Sequence, residues 1–117
     1  MRVLAFEDHY DIEAMLVSSG VDTNSMTIEQ RWNSQHALEH IERFKPEVLM
    51  LDHYMPPSTG FEVLEALLNS PLPRPSTIVA MSSDSERNKA MVALGADVGT
   101  VKFDIPLLPI WALKKNG

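Results

Sequence analysis

Apolar positions along the chain follow two alternating rhythms. Short, nearly unbroken apolar runs at RVLAFE (2–7), EVLMLD (47–52) and TIVAMS (77–82) predict strands, and MTIEQRW (26–32) predicts another with weaker alternation. GADVGTVKF (95–103) predicts a turn and a fifth strand. Between these runs apolar residues recur at helical spacing. Ile12, Met15 and Leu16 follow Asp11, a candidate cap, and Gly20 stops that helix. Ala37, Leu38, Ile41 and Phe44 form the inner face of a second helix, capped by Ser34 and ended by Pro46. Phe61, Val63, Leu64, Leu67 and Leu68 place a third over 60–69, and SPLPRPS (70–76) is a loop. Ser83 with Glu86 has the spacing of a capping box for a fourth helix through Leu94. IPLLPIWALKK (105–115) predicts a short last helix with its prolines near the start.

Strand and helix thus alternate five times. Continuous apolar strands separated by helices imply a parallel sheet with both faces covered. Right-handed crossovers leave few topologies. The expected fold is α/β, flavodoxin-like, (βα)5 doubly wound, with a five-stranded parallel sheet in the order 2-1-3-4-5. Its ligand crevice lies outside the carboxyl ends of strands 1 and 3.

The chemistry-bearing residues gather at that edge. Strand 1 ends in Glu7-Asp8, strand 3 in Asp52, strand 4 in Ser82-Ser83 and strand 5 in Lys102. Two like charges about 4 Å apart repel by about 4 kcal/mol at an effective dielectric near 20. A cation relieves three such carboxylates, and an oxygen-only donor set suits Mg²⁺. Carboxylate, hard cation, lysine and hydroxyl together are the parts that accept and hold a phosphoryl group.

Composition narrows the setting. With 117 residues there is room for one domain, 1–117, and its 44% hydrophobic content suffices for a core. The net charge of -6 disfavours direct nucleic-acid binding or an anionic membrane. Cysteine is absent, excluding thiolate chemistry. No apolar run approaches the roughly 20 residues of a membrane span, and MRVLAFED turns acidic before a signal sequence could form. A cytoplasmic protein without membrane insertion is the expectation.

Glu7-Asp8, then Asp52 with Met55-Pro56 and Gly60 in the spacing D-x-x-M-P-x-x-x-G, then Ser82, Gly95-Ala96-Asp97 and Lys102 occur in that order. In this combination the chain resembles a two-component response-regulator receiver domain over essentially its whole length. The resemblance implies that Asp52 is the phosphoacceptor. It also implies that Asp8, Asp52 and the Tyr54 backbone carbonyl ligate Mg²⁺, with Glu7 acting through water. Ser82 would bond the phosphoryl oxygen and Lys102 would pair with it. The implied phosphodonor is a sensor histidine kinase or a histidine phosphotransfer protein. The implied output is a separate downstream effector protein, as for a stand-alone receiver. Beyond its own phosphoryl transfer and slow autodephosphorylation no enzyme activity is implied.

Three positions depart from the family pattern. Phe103 replaces the usual proline after the lysine, Gly99 replaces the usual switch aromatic, and Ser83 replaces the usual alanine. These departures bear on output, and Gly99 and Phe103 favour an alternative, a degenerate receiver acting as a phosphorylation-independent interaction module. The complete set of phosphorylation residues opposes it. His9, His53 and Tyr54 are expected on the rim. Separately, His36-Ala37-Leu38-Glu39-His40 matches the H-x-x-E-H zinc pattern. It lacks an evident third ligand and reads better as a solvated helix face.

Overall fold

Side chains alternate across a strand, so a strand buried on both faces is apolar throughout. In this computed structural model, which describes residues 1–111, β3 (Val48–Leu51) is buried at every position. β1 (Arg2–Phe6) and β4 (Thr77–Ala80) are buried at all but their first residues. Leu4, Phe6, Leu49, Leu51, Ile78 and Ala80 face one apolar layer, against α2 (Ala37–Phe44), α3 (Gly60–Leu68) and Met91 of α4 (Ser85–Leu94). Val3, Ala5, Val48, Met50, Val79 and Met81 face the other, against Ile12 and Leu16 of α1 (Ile12–Ser18) and against Ile105, Leu108 and Trp111. β2 (Thr27–Arg31) and β5 (Val98–Gly99) form the edges. All neighbours pair in parallel, in the order β2-β1-β3-β4-β5. The expected topology is therefore present. No helix among the described residues is long and apolar enough to cross a membrane.

The differences from expectation lie at element ends. Ser34 does not cap α2. That position belongs to His36, whose backbone is left-handed (φ 55°) and whose side chain makes no capping bond. Ser34 is instead buried between two loops. Its N–H donates to the Pro56 carbonyl at 3.1 Å, and its hydroxyl bonds the Met55 carbonyl and accepts from the Ser58 N–H at 2.7 Å. It thus braces the loop that follows Asp52. The Ser83–Glu86 capping box does not form: Asp84 caps α4, accepting from the Glu86 N–H at 3.0 Å. A complete box occurs at α3, where Thr59 and Glu62 satisfy one another's backbone N–H groups.

β5 is only two residues long, and Lys102 opens a 3₁₀ helix (Lys102–Leu107) rather than ending a strand. The last helix expected over 105–115 is therefore split. Pro106 lies within the 3₁₀ segment, a helical turn follows at 109–111, and the remainder lies outside the described residues.

Candidate functional site

Strand register builds the site. Phe6 and Leu51 are paired, so Glu7 and Asp52, the next residue of each chain segment, emerge side by side at the carboxyl edge. The Asp52 N–H donates to the Phe6 carbonyl at 3.0 Å and fixes that register one step further. Carboxylate oxygens of Glu7, Asp8 and Asp52 lie within 4.8 Å of one another. Glu7 and Asp52 are buried and Asp8 is exposed. Lys102 reaches both buried acids: its Nζ lies 3.1 Å from Glu7 Oε1 and 3.2 Å from Asp52 Oδ2. The Lys102–Phe103 bond is trans; the cis peptide among the described residues is Pro56–Pro57. Lys102 therefore meets the acids without the family's proline.

Four groups that sequence reasoning singled out are thus brought together. Three carboxylates face one ammonium, and two of the acids are buried. Burial, and then the neighbouring Glu7 carboxylate, push the Asp52 carboxyl above its ordinary pKa, with Lys102 pulling the other way. For Lys102 burial is the largest single influence and acts to lower its pKa. Its bonds and charge interactions with Glu7 and Asp52 outweigh that and raise it.

The donor set fits a hard divalent cation. Glu7 Oε2 accepts the His9 and Tyr10 N–H groups at 2.9 and 3.1 Å, and Asp52 Oδ1 accepts the His53 N–H at 2.8 Å. Glu7 Oε1 is buried and has only the ionic contact to Lys102, without a hydrogen bond. A leftover buried oxygen beside an uncompensated charge is what Mg²⁺ coordination, direct or through water, would satisfy. The Tyr54 carbonyl accepts no hydrogen bond among the described residues, so the fourth proposed ligand is also free. Mg²⁺ at 100 times its dissociation constant is expected to stabilise the fold by about 2.7 kcal/mol through mass action. The readout is a thermal shift that Asp8→Asn removes; an unchanged melting temperature in millimolar Mg²⁺ would argue against the cation site.

The same electrostatics set a pH dependence without metal. Because the folded pKa of Asp52 is raised, its contribution is fully present below the ordinary carboxylate range. It is lost as pH rises through the folded value, a window in which Lys102 stays charged. The Asp52 contribution to metal-free stability is thus expected to fall from acid toward neutral pH, and Asp52→Asn to melt higher than wild type at neutrality. Melting curves in EDTA across that range check this, and parallel curves for the two proteins would refute it.

Ser82 ends β4 and is 1% exposed. Its hydroxyl accepts the Asp84 N–H at 3.0 Å, which leaves the hydroxyl proton free to donate. It makes no hydrogen bond to Asp52 or Lys102 among the described residues. Its backbone is held by Asn88, a residue that sequence reasoning missed. The Asn88 Oδ1 accepts the Ser82 N–H at 2.8 Å, and Nδ2 donates to the carbonyls of Ser82 at 2.9 Å and Thr100 at 3.0 Å. Asn88 lies in a helix whose polar residues all look interchangeable in sequence, so only its i+6 spacing from Ser82 could have flagged it.

Around the crevice, His9 and Tyr54 are exposed as expected, and Tyr54 meets the His53 ring edge-on at 4.7 Å. His53 is not a rim residue: it is buried, its Nδ1 is unpartnered, and burial lowers its pKa. Tyr10 stands over the Lys102 ammonium at 5.3 Å and contacts Phe103 edge-on at 5.7 Å. The zinc pattern finds no site. His36 precedes α2 on a left-handed backbone, and the only group of three metal-type ligands among the described residues is Glu7, Asp8 and Asp52.

A doubly wound sheet with paired acids at the switch point between its first and third strands defines a flavodoxin-like α/β protein with an acidic, cation-fitting crevice. The response regulator receiver domain family matches residues 3–103, and the chain belongs to that family. No curated protein sequence matches the chain. Among solved structures, the signal receiver domain of a DNA binding response regulator from Colwellia psychrerythraea is 24% identical, with a TM-score of 0.74 over 99% of this chain and 96% of that one. The chemotaxis response regulator CheY4 of Vibrio cholerae is 26% identical, with a TM-score of 0.71 over 98% and 94%. The BeF3-activated receiver domain of Klebsiella pneumoniae RstA is 21% identical, with a TM-score of 0.73 over 98% and 97%.

Proposed function

We propose that Asp52 accepts a phosphoryl group from the phosphohistidine of a sensor histidine kinase or phosphotransfer protein. The protein then acts as a phosphorylation-dependent switch read by a separate effector. The observation that carries this reading is the convergence of Lys102 on Asp52 and Glu7 beside Asp8. An Asp52 oxygen forms the new bond to phosphorus as the donor imidazole leaves. Lys102, already within ion-pair distance of Asp52 Oδ2, stays to neutralise the charge that the phosphoryl group brings. The Ser82 hydroxyl, whose proton is uncommitted, would turn to a phosphoryl oxygen. Mg²⁺ held by Asp8, Asp52 and the Tyr54 carbonyl, with Glu7 behind it, would supply charge neutralisation of the transferred group. Catalysis would be limited to this self-modification and its slow reversal, in a cytoplasmic setting.

The test is mass spectrometry after incubation with acetyl phosphate and Mg²⁺. Gain of one phosphoryl group in wild type, and none in Asp52→Asn, is the expected result. Absence of modification in wild type would point to the phosphorylation-independent module, the reading that Gly99 favours.

A further inference from the structure

Asp8 has no side-chain partner to hold it in the acidic group. It is exposed, and its carboxylate makes no hydrogen bond or ion pair among the described residues, yet an oxygen of it lies within 4.8 Å of oxygens of Glu7 and Asp52. Its place is therefore set by the backbone of residues 7–12, between β1 and α1. The Glu7 N–H donates to the Arg31 carbonyl at 3.0 Å, which carries the ladder to β2 one step past Phe6. Beyond that bond the loop leaves the sheet.

Gln30 of β2 reaches into this loop. Its Nε2 donates to the carbonyls of Glu7 at 3.0 Å and Tyr10 at 2.7 Å, and its Oε1 accepts the Ile12 N–H at 2.9 Å. Among the described residues no other side chain from outside residues 7–12 bonds their backbone. The three bonds fix the amide's orientation: turned over, it would set oxygen against two carbonyls and a donor against an N–H. The bonds at Glu7 and Tyr10 straddle Asp8 and His9. From within the loop, Glu7 Oε2 accepts the His9 and Tyr10 N–H groups at 2.9 and 3.1 Å. The bond at Ile12 satisfies a first-turn N–H of α1, while the Asp11 cap serves Ala14. Asp8 thus sits in a turn closed by Glu7 on the inside and by Gln30 on the outside.

We propose that Gln30 is a positioning residue for the crevice: by holding the carbonyls of Glu7 and Tyr10 it sets Asp8 where a cation shared with Asp52 requires it. This role rests on the phosphoacceptor reading, in which the crevice holds Mg²⁺. That ion takes ligands at about 2.0–2.1 Å in near-octahedral geometry and tolerates little displacement. A loop without Gln30 would have to be ordered whenever the ion bound, at a cost in backbone entropy. The neutral amide gives this order without adding a fourth negative charge to three carboxylates.

The test is isothermal titration of the full chain with MgCl₂ at fixed pH and ionic strength, at a temperature where every variant is folded. Gln30→Met keeps the length of the side chain and removes its bonds; it is expected to weaken Mg²⁺ binding by about tenfold or more. Gln30→Asn keeps the amide but is one methylene too short to span the loop, and is expected to match it. Ile41→Val truncates the core on the opposite face of the sheet from α1. It lowers stability without touching the loop and is expected to bind Mg²⁺ as wild type. In phosphorylation by acetyl phosphate, the Mg²⁺ concentration for half-maximal rate should rise in Gln30→Met by the same factor as the dissociation constant. The rate at saturating Mg²⁺ should change by less than about twofold. Wild-type Mg²⁺ affinity in both Gln30 variants, or a loss no larger than that in Ile41→Val, overturns the role of Gln30 and leaves the phosphoacceptor reading standing. Absence of Mg²⁺ binding in wild type overturns the cation site itself and this role with it.

Discussion

Gly60→Ala is expected to cost about 3 kcal/mol of stability and to uncouple the Asp52 crevice from Mg²⁺. Gly60 opens α3 where that helix passes against the end of β3. A Cβ built there would stand 2.0 Å from the Asp52 carbonyl oxygen, 2.9 Å from its carbon and 3.2 Å from His53 Cα. These are backbone atoms and cannot swing aside. The Gly60 N–H also donates to the His53 carbonyl at 2.7 Å, so the two segments are already in contact. A methyl group must push α3 away from β3 or displace Asp52 itself. Either movement disturbs the carboxylate whose register with Glu7 sets the site. Thermal melting with and without Mg²⁺ checks both parts. A variant that melts like wild type and keeps its full Mg²⁺ response would show that the close approach relaxes cheaply.

Gly60 also shows what a sequence can carry. Its place in D-x-x-M-P-x-x-x-G was legible, and so was the alternation of apolar strands and helices, because burial on both sheet faces writes itself directly into composition. Glu7, Asp8, Asp52 and Lys102 were legible for a related reason: strand ends in a parallel sheet point to one edge, so four local signals add in space. Less readable were the groups whose role depends on a neighbour remote in sequence. Ser34 looks like a helix cap, yet its partners are Met55, Pro56 and Ser58, more than twenty residues on. Thr59 and Glu62 carried a true capping box hidden beside prolines, while Ser83 and Glu86 carried the pattern without the structure. There Asp84 competes for the same N–H groups one position later and wins. His53 flanks Asp52 in sequence and so reads as a rim residue, yet it is buried.

Asn88→Leu is expected to lower stability by about 3 kcal/mol or more and to slow Asp52 phosphorylation beyond what that loss explains. Leucine keeps the branched shape of asparagine, with bulkier methyl groups in place of the amide O and NH₂, so the change deletes an amide that is 5% exposed and adds some crowding. That amide satisfies three backbone groups: the N–H and carbonyl of Ser82 and the carbonyl of Thr100. Each buried polar group left without a partner costs about 1–3 kcal/mol, less where water can enter. The functional part follows from geometry. Asn88 fixes the backbone of the residue whose hydroxyl is to meet the phosphoryl group, and ties it to the strand carrying Gly99. Glycine makes that tie possible: a Cβ at position 99 would come within 3.0 Å of Asn88 Cβ and 3.5 Å of Val92 Cγ2. Where the family pattern places a switch aromatic, this chain therefore brings α4 close against β5 and joins β4, α4 and β5 through one amide. Gly99→Ala should disturb the same joint in the same direction but less, since only a few tenths of an ångström must give. The check is phosphorylation by acetyl phosphate at a temperature where all variants are folded, beside melting curves. If Asn88→Leu is destabilised yet phosphorylates at the wild-type rate, the amide holds the fold alone and Ser82 is positioned by something else.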